Sequence, residues 1–378
     1  MEQAYEIVPV TSAASRREFI DFPKRLYRGD RHWVPAFDMD MNLLLRKRHP
    51  FFRHSEGEFV LVRRGGETAA RGLVVDNPLY NNFHGTSFAF FDNFDAVDEQ
   101  GAAAALFDHF ARWARSRGLK ALCGPMLSGG TYGAGILVHG FEHPPAMTMM
   151  RYNRPYYARL LEGCGFTKYL DLNSLSIPPE RMELPERVRR LAERVRDRGR
   201  LKLLDLRSKA DIRRVAGEIK GLYGGTLTHH LEDYPLTPEE LDQVEKDLLT
   251  IADPELVTLL EADGAVVGYA FGFADLSPVL RRNRGKLSPM GILRLLRGMR
   301  STRKILFNGI GILPKYQSLG GNALMYLRMA EVIRKRGFTE IEMVQISEET
   351  ELMLSDARTL GGAPYKIHRM YRKGIGPA

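Results

Sequence analysis

The stretch "LPKYQSLGGNALMYLRMAE", residues 313–331, sets Gly320 and Gly321 between a strand-like run, "KILFNGIGIL", and a helical pattern. The first-turn N–H groups of a helix have no intrahelical acceptors, and the dipole makes that end partly positive. Glycines there remove the side chains that would hold an anion off. The segment is therefore expected to cradle a phosphate or pyrophosphate. No Gly-Lys-Ser/Thr follows, so it is not a Walker loop. Asn322 and Ala323 follow the glycines, and the neighbouring strands form hairpins, which excludes a dinucleotide fingerprint. The expected lining is Ile312, Leu313, Gln317, Ser318, Leu319, Gly320, Gly321 and Asn322.

Proton-handling candidates lie elsewhere. "THHLEDY", residues 228–234, is dense in titratable groups. Adjacent histidines do not face one metal from a strand or a helix, so no metal site is expected. His230 acting as a general base is the better chemical reading; an ordinary polar loop is the alternative. Asp275 ends "GYAFGFAD" and could take an amine's proton, hold its ammonium form, or cap the next segment. Glu342, on "TEIEMVQIS", reads as a half-buried carboxylate with a raised pKa, or equally as a surface residue. The run Gly124–Gly135 reads as a second anion cradle, a lid or plain turns, with no helix start behind it. Cys123 and Cys164 have neither disulfide nor zinc spacing and read as buried thiols.

The elements that must position these residues repeat. In the first half come "EFVLVRR" and "RGLVVDN" around Gly65-Gly66, then the strand "SFAFFDNF" and the helix "GAAAALFDHFARWARSRG". The strand "LKALCGPM", a short helix "NRPYYARLLEGCGF" and the strand "TKYLDLNSLSI" complete it. The second half repeats the order: a hairpin turning at Asp263-Gly264, "KILFNGIGIL", "GNALMYLRMAEVIRKRG", "FTEIEMVQIS", a short helix and "APYKIHRMYRK". This predicts an α/β fold of two tandem mixed-sheet domains, 1–175 and 199–378, joined by a charged helical linker over 176–198.

"Pro314-x-Tyr316-Gln317-x-x-Gly320-x-Asn322" resembles the acyl-CoA pyrophosphate loop of the GNAT superfamily of N-acyltransferases, whose usual form is Gln or Arg, two residues, Gly, one residue, then Gly or Ala. Gln317 and Gly320 match; Asn322 departs from the last small position. "LLEGCGF" at 160–166 is similar to the end of that fold's last helix. The resemblance covers both halves and implies two GNAT-like domains. Acyl-CoA would be a co-substrate of the second half, with no permanently bound cofactor, and an amine the acceptor. The tyrosine that the family often carries on its last helix as a general acid falls at Ala357, so that role does not transfer; Tyr365 and Tyr371 lie nearby without matching. "WVPAFDMDMNLLL", "HPFFRH" and "GFEHPPAMTMMRYNRPYYARLLEGCGF" further resemble the bacterial ceramide synthase-type acyltransferase family, which implies a long acyl chain and a sphingoid or other lipid amine. Rival readings are a tRNA-dependent aminoacyl ligase of the tandem GNAT type and a non-catalytic acyl-CoA or lipid sensor.

At the equivalent place in the first half, Asp92, Asp95, Asp98 and Glu99 crowd the pyrophosphate position, so that half is expected to bind no CoA.

Charge points to a partner. The net charge is +9, and residues 276–304 hold nine basic residues and no acidic one, so the rest is formally neutral. The segment 288–304 is two-faced at 100° per residue, with Ile292, Leu295, Leu296 and Met299 on one side and Arg294, Arg297, Arg300 and Lys304 on the other. An anionic membrane surface is the expected partner, against the alternative that the apolar side packs on the protein. Nucleic acid is disfavoured because no aromatic residue is interleaved for base stacking. No run of 18 apolar residues is present, and the N-terminus lacks a signal pattern. A cytoplasmic protein, peripheral on the inner face of the membrane, is the resulting expectation.

Overall fold

The computed structural model of the chain describes residues 4–127, 133–147, 150–178, 183–226 and 230–376; Thr228 and His229, and part of the Gly124–Gly135 run, lie outside them. The elements begin β1 (Glu6–Pro9), α1 (Ala13–Leu26), α2 (Asp38–Leu45), β2 (Glu56–Arg64), β3 (Glu67–Asp76), α3 (Pro78–His84) and β4 (Phe88–Ala96). Next come α4 (Gln100–Arg115), β5 (Ala121–Gly124), β6 (Ile136–His139), α5 (Tyr157–Gly163), β7 (Thr167–Ile177), α6 (Glu186–Arg198) and β8 (Lys202–Leu203). Then follow α7 (Lys209–Arg214), α8 (Ala216–Thr226), α9 (Pro238–Ile251), β9 (Val257–Ala262), β10 (Ala265–Ala274), α10 (Ser277–Asn283) and α11 (Pro289–Ser301). The chain closes with β11 (Lys304–Ile312), α12 (Gly321–Arg336), β12 (Glu340–Ser347), α13 (Glu351–Thr359) and β13 (Ala363–Gly374).

Two compact units divide the chain. Unit 1 holds Met1–Leu172, Ser277–Leu295 and Lys366–Ala378; unit 2 holds Asn173–Leu276 and Leu296–Tyr365. Each is built on a mixed sheet with the same ladder. In unit 1, β2–β3 and β3–β4 are antiparallel and β4–β5 is parallel. In unit 2, β9–β10 and β10–β11 are antiparallel and β11–β12 is parallel. A parallel pair needs a crossover, and the amphipathic helices α4 and α12 supply it. Leu106, Phe107 and Phe110 of α4 are fully buried with Phe91 and Tyr157. Leu324, Met325 and Met329 of α12 pack with Leu260 and Val267. Each such side chain contributes about 1.5–3 kcal/mol of burial.

The units in space differ from the halves expected from sequence. Strand β13, expected to close the second half, gives Lys366–Gly374 to unit 1, pairing antiparallel with β5 from Tyr371↔Gly124 to Gly374↔Ala121. The end of β7 instead lies in unit 2 beside β12. The insertion after β10 also starts in unit 1: Ser277 Oγ donates to the Pro145 carbonyl (3.0 Å) and accepts from the Met147 amide (2.9 Å). Helix α6, expected as a linker, is part of unit 2, with Ala192 and Val195 buried.

Candidate functional site

Strands β11 and β12 pair only from Lys304↔Glu340 to Phe307↔Met343, although β11 continues to Ile312 and β12 to Ser347. Past that point they part. On its other edge β11 carries an extra residue, since Ala270 pairs with Ile310 but Gly272 with Phe307. The bulge falls at Asn308–Gly309, where Gly309 has φ +101°. A bulge interrupts the ladder and leaves a residue's polar groups unpaired, next to the parting of the strands. From there about 17 Å of strand, at ~3.3 Å per residue, leads to the glycine loop.

The loop is held from inside. The Leu313 amide donates to Val267 O (2.9 Å), and Gln317 Nε2 folds back onto Ile312 O (3.0 Å). Ser318 and Gly320 both have positive φ, +61° and +85°. Gly320 is the N-cap of α12 and offers no side-chain cap. A Cβ on Gly320 would lie 2.7 Å from Val195 Cγ2 of α6, and one on Gly321 would meet Leu260. These glycines therefore allow α6 and β9 to pack on the helix start; both are buried, while Ser318 and Leu319 are exposed. Asn322 turns away toward α13: its Nδ2 donates to Asp356 Oδ2 (2.9 Å), which also accepts from the Tyr326 hydroxyl (3.2 Å). Its Oδ1 accepts from the Ala323 amide (3.0 Å). The part of the loop open to an anion is thus the backbone around Ser318 and Leu319, with Ile312 and Leu313 half-buried behind it.

Two titratable groups stand in unit 2. The first joins Asp275 and Glu342. Glu342 is 0 % exposed rather than half-buried, and its Oε2 lies 2.7 Å from Lys304 Nζ. Asp275, buried, donates its amide to Lys304 O (3.0 Å). Tyr365 completes the group: burial first, then the neighbouring charge of Glu342 and hydrogen bonding to it, hold its hydroxyl far above the ordinary tyrosine range. The second group is His230, Glu232 and Asp233. His230 Nδ1 lies 3.5 Å from Glu232 Oε1, and Glu232 is buried. The carboxylate of Glu232 raises the His230 pKa against the opposing effect of burial, with Asp233 and Glu349 adding to it. Sequence had nominated Asp275 and Glu342 separately; the fold brings them together, and His230 joins the other group. Lys304, expected from sequence on the basic helix face, instead starts β11 and pairs with Glu342, and Tyr365 had been noted only as lying near the family's acid position. The bulge had one, a glycine inside a strand pattern.

The acidic run of unit 1 is not a bare cluster. Asp92 pairs with Arg151 (2.7 Å), Asp95 with Arg71 (2.8 Å), Asp98 with Arg159, and Glu99 with Arg64 (2.6 Å). Like-charge repulsion is therefore largely offset there, and what occupies the start of α4 is the bulk of side chains. A Cβ on Gly101 would lie 2.6 Å from the Tyr5 ring, whose hydroxyl donates to Glu99 Oε2 (3.0 Å).

No known family profile matches the chain. It is 29% identical over 388 residues to a bacterial ceramide synthase of Caulobacter vibrioides, covering 98% of this chain and 97% of that one. It is 25% identical over 368 residues to protein YghO of Escherichia coli, covering 95% and 93%. A solved tandem GNAT protein from the clavulanic acid biosynthesis pathway matches 99% of this chain and all of its own, with a TM-score of 0.56 at 14% identity. The chain is a homologue of the ceramide synthase and has the tandem GNAT fold. An acyltransferase is the enzyme class on which homology and fold agree.

Proposed function

We propose that this ceramide synthase homologue moves an acyl group from a CoA thioester to an amine, using unit 2 as the donor site. The observation that carries the reading is the parting of β11 from β12 beyond Phe307↔Met343, with the α12 loop at the far end of the same strand. A thioester arm laid along Asn308–Ile312 would carry its phosphates to Ser318 and Leu319 and its carbonyl to the bulge. An unpaired amide there can stabilise the oxyanion. The amine nitrogen attacks the carbonyl carbon, the C–N bond forms and the C–S bond breaks. The amine's proton goes to a base, and the departing thiolate takes up a proton. His230, backed by Glu232, is the base that this reading favours, because the carboxylate raises the imidazole's pKa and so makes its neutral form a stronger base. Asp275, beside the buried Lys304–Glu342 pair, would hold an ammonium group, with Tyr365 kept protonated by its surroundings.

The finer reading is a long acyl chain and a lipid amine, supported by homology over nearly the whole chain to a protein described as a ceramide synthase. The protein would then act as a peripheral protein at an anionic membrane surface. The test is release of free CoA thiol from acetyl-, octanoyl- and palmitoyl-CoA with a panel of amines, sphingoid bases included. Amine-dependent thiol release, fastest with the long chain, is the expected result. Thioester binding without turnover would replace the reading by a sensor. Turnover that requires aminoacyl-tRNA would replace it by a ligase.

A further inference from the structure

Leu287, Met290, Ile292, Leu293 and Leu296 lie within one short stretch and face solvent. Met290 is 55 %, Ile292 50 %, Leu293 47 % and Leu296 57 % exposed. The opposite side of α11 is the packed one: Gly291 and Gly298 are buried, Leu295 and Met299 half-buried. The apolar side expected from sequence is thus divided, with Leu295 and Met299 turned to the protein and Ile292 and Leu296 turned out. Anchoring fixes that orientation. Asn283 of α10, itself buried, donates through Nδ2 to Gly291 O (3.2 Å), and a Cβ on Gly291 would sit 3.0 Å from that nitrogen. The preceding loop is tied down by Asp38 N donating to Gly285 O (2.9 Å).

The charge around this row is uncompensated. Among the described residues, Arg281, Arg282, Arg284, Lys286, Arg294, Arg297, Arg300 and Arg303 have no carboxylate partner. Exposed arginines elsewhere, such as Arg189, Arg190 and Arg207, do pair. At 100° per residue, Arg297 and Arg294 follow Leu293 on one side of the row of Ile292, Leu293 and Leu296, and Arg300 falls in line with the row a turn further on. Monomeric surfaces rarely leave such a contiguous apolar patch without a use.

We propose that α11 is a docking helix for an anionic bilayer, lying in the interface with Ile292, Leu293 and Leu296 in the acyl boundary and its arginines among lipid phosphates. A second copy of the chain fits poorly, because a two-fold contact would set these uncompensated cations against their own copies. A nucleic acid would meet aliphatic side chains where stacking aromatics are needed. The proposal rests on the lipid-acceptor reading only for its purpose, which would be to let a bilayer amine reach the thioester.

The test uses the full chain with vesicles of phosphatidylcholine alone or containing roughly a third phosphatidylglycerol. Wild type should co-sediment with the anionic vesicles and not with the neutral ones. Arg294→Glu/Arg297→Glu and Ile292→Ser/Leu293→Ser should each weaken that binding at least tenfold with unchanged thermal melts. Both pairs are exposed, so neither should disturb the fold. Thiol release with a short soluble amine should persist in both, which separates failure of docking from failure of the transfer reading. Equal sedimentation of wild type and variants, or none by wild type, would overturn the proposal. So would a dimer in light scattering that Leu293→Ser converts to monomer, since the face would then be a subunit contact.

Discussion

Helices α4 and α12 follow equivalent strands, β4 and β11, and are finished in opposite ways. At α4 the N-cap is Glu99, held by Arg64 and by the Tyr5 hydroxyl, with the Tyr5 ring over Gly101. Gln100 Nε2 donates to Leu160 O (3.1 Å), which tucks its side chain against α5. At α12 the N-cap is a glycine with no side-chain cap, behind an exposed Ser318 and Leu319. The same supersecondary unit therefore gives either a closed helix start or one open to an anion, depending on which side chains surround its first turn. A second contrast lies in the buried carboxylates. Asp95 accepts from Arg71 and from the hydroxyls of Tyr27 and Tyr157, both at 3.1 Å. Glu342, fully buried, is paired with Lys304 and lies beside the Tyr365 hydroxyl.

The largest effects are expected from breaking these ion pairs. Removing one partner of a buried pair costs about 3–5 kcal/mol, because the other charge is left in low dielectric. Arg71→Met and Lys304→Met should each lose stability on that scale in urea unfolding, because the tyrosines left beside Asp95 and Glu342 are neutral. A loss below about 1 kcal/mol in either variant would mean that the ion pair is not what holds its carboxylate in place.

Next is the loop before α12, proposed to hold the CoA phosphates. Calorimetry should find one CoA per chain, and Ser318→Asp should weaken it at least tenfold, about 1.4 kcal/mol. Ser318 is exposed at positive φ, which Asp tolerates, so the added charge is tested without disturbing packing. Gly320→Asp, the obvious choice from sequence, would also collide with Val195. Two equivalent sites in wild type would erase the difference between the helix starts.

A smaller effect is a shift with pH. Glu232 raises the His230 pKa, so a rate that needs neutral imidazole should climb as pH passes through that raised value. Glu232→Gln should move the climb to lower pH; an unmoved profile would remove His230 from the mechanism. For stability, the pair's contribution is fully present below about pH 6.5, the ordinary histidine value, and is lost as pH rises through the folded pKa. That dependence should be absent from Glu232→Gln melts.

The smallest effect should come from unplugging α4. Tyr5→Ala with Glu99→Gln should cost about 1 kcal/mol, as for one hydrogen bond and a partly exposed ion pair lost together. Titration should still find one CoA, since Gln100 remains packed against α5. A second site appearing would mean that Tyr5 and Glu99 alone separate the two units.

Much of this was legible along the chain. The glycine pair before an amphipathic run marked the start of α12, and the repeated order of elements marked the two units. Other features were not, for identifiable reasons. Gly320 signalled an open approach, but not that Val195 would fill the space above it. Asp92, Asp95, Asp98 and Glu99 read as repelling charges because their arginine partners lie 24 to 61 residues away along the chain. Asp275, Lys304 and Glu342 meet only because β10, β11 and β12 are neighbours in one sheet, and Tyr365 is brought to them by β13, the last strand of the chain.

The sequence by itself determined the local matters: where helices start, which strand carries a glycine, how the positive charge is concentrated in 276–304, and that two similar units exist. These depend on backbone sterics, periodicity and composition, which act over a few residues. Only the tertiary structure decided which strand closes which sheet, which carboxylates have cations, which helix start stays open, and which face of α11 is turned to solvent. Those outcomes depend on hydrogen-bond ladders and packing between residues far apart in the chain, and alternating strands or amphipathic helices satisfy their local preferences equally well in several such arrangements.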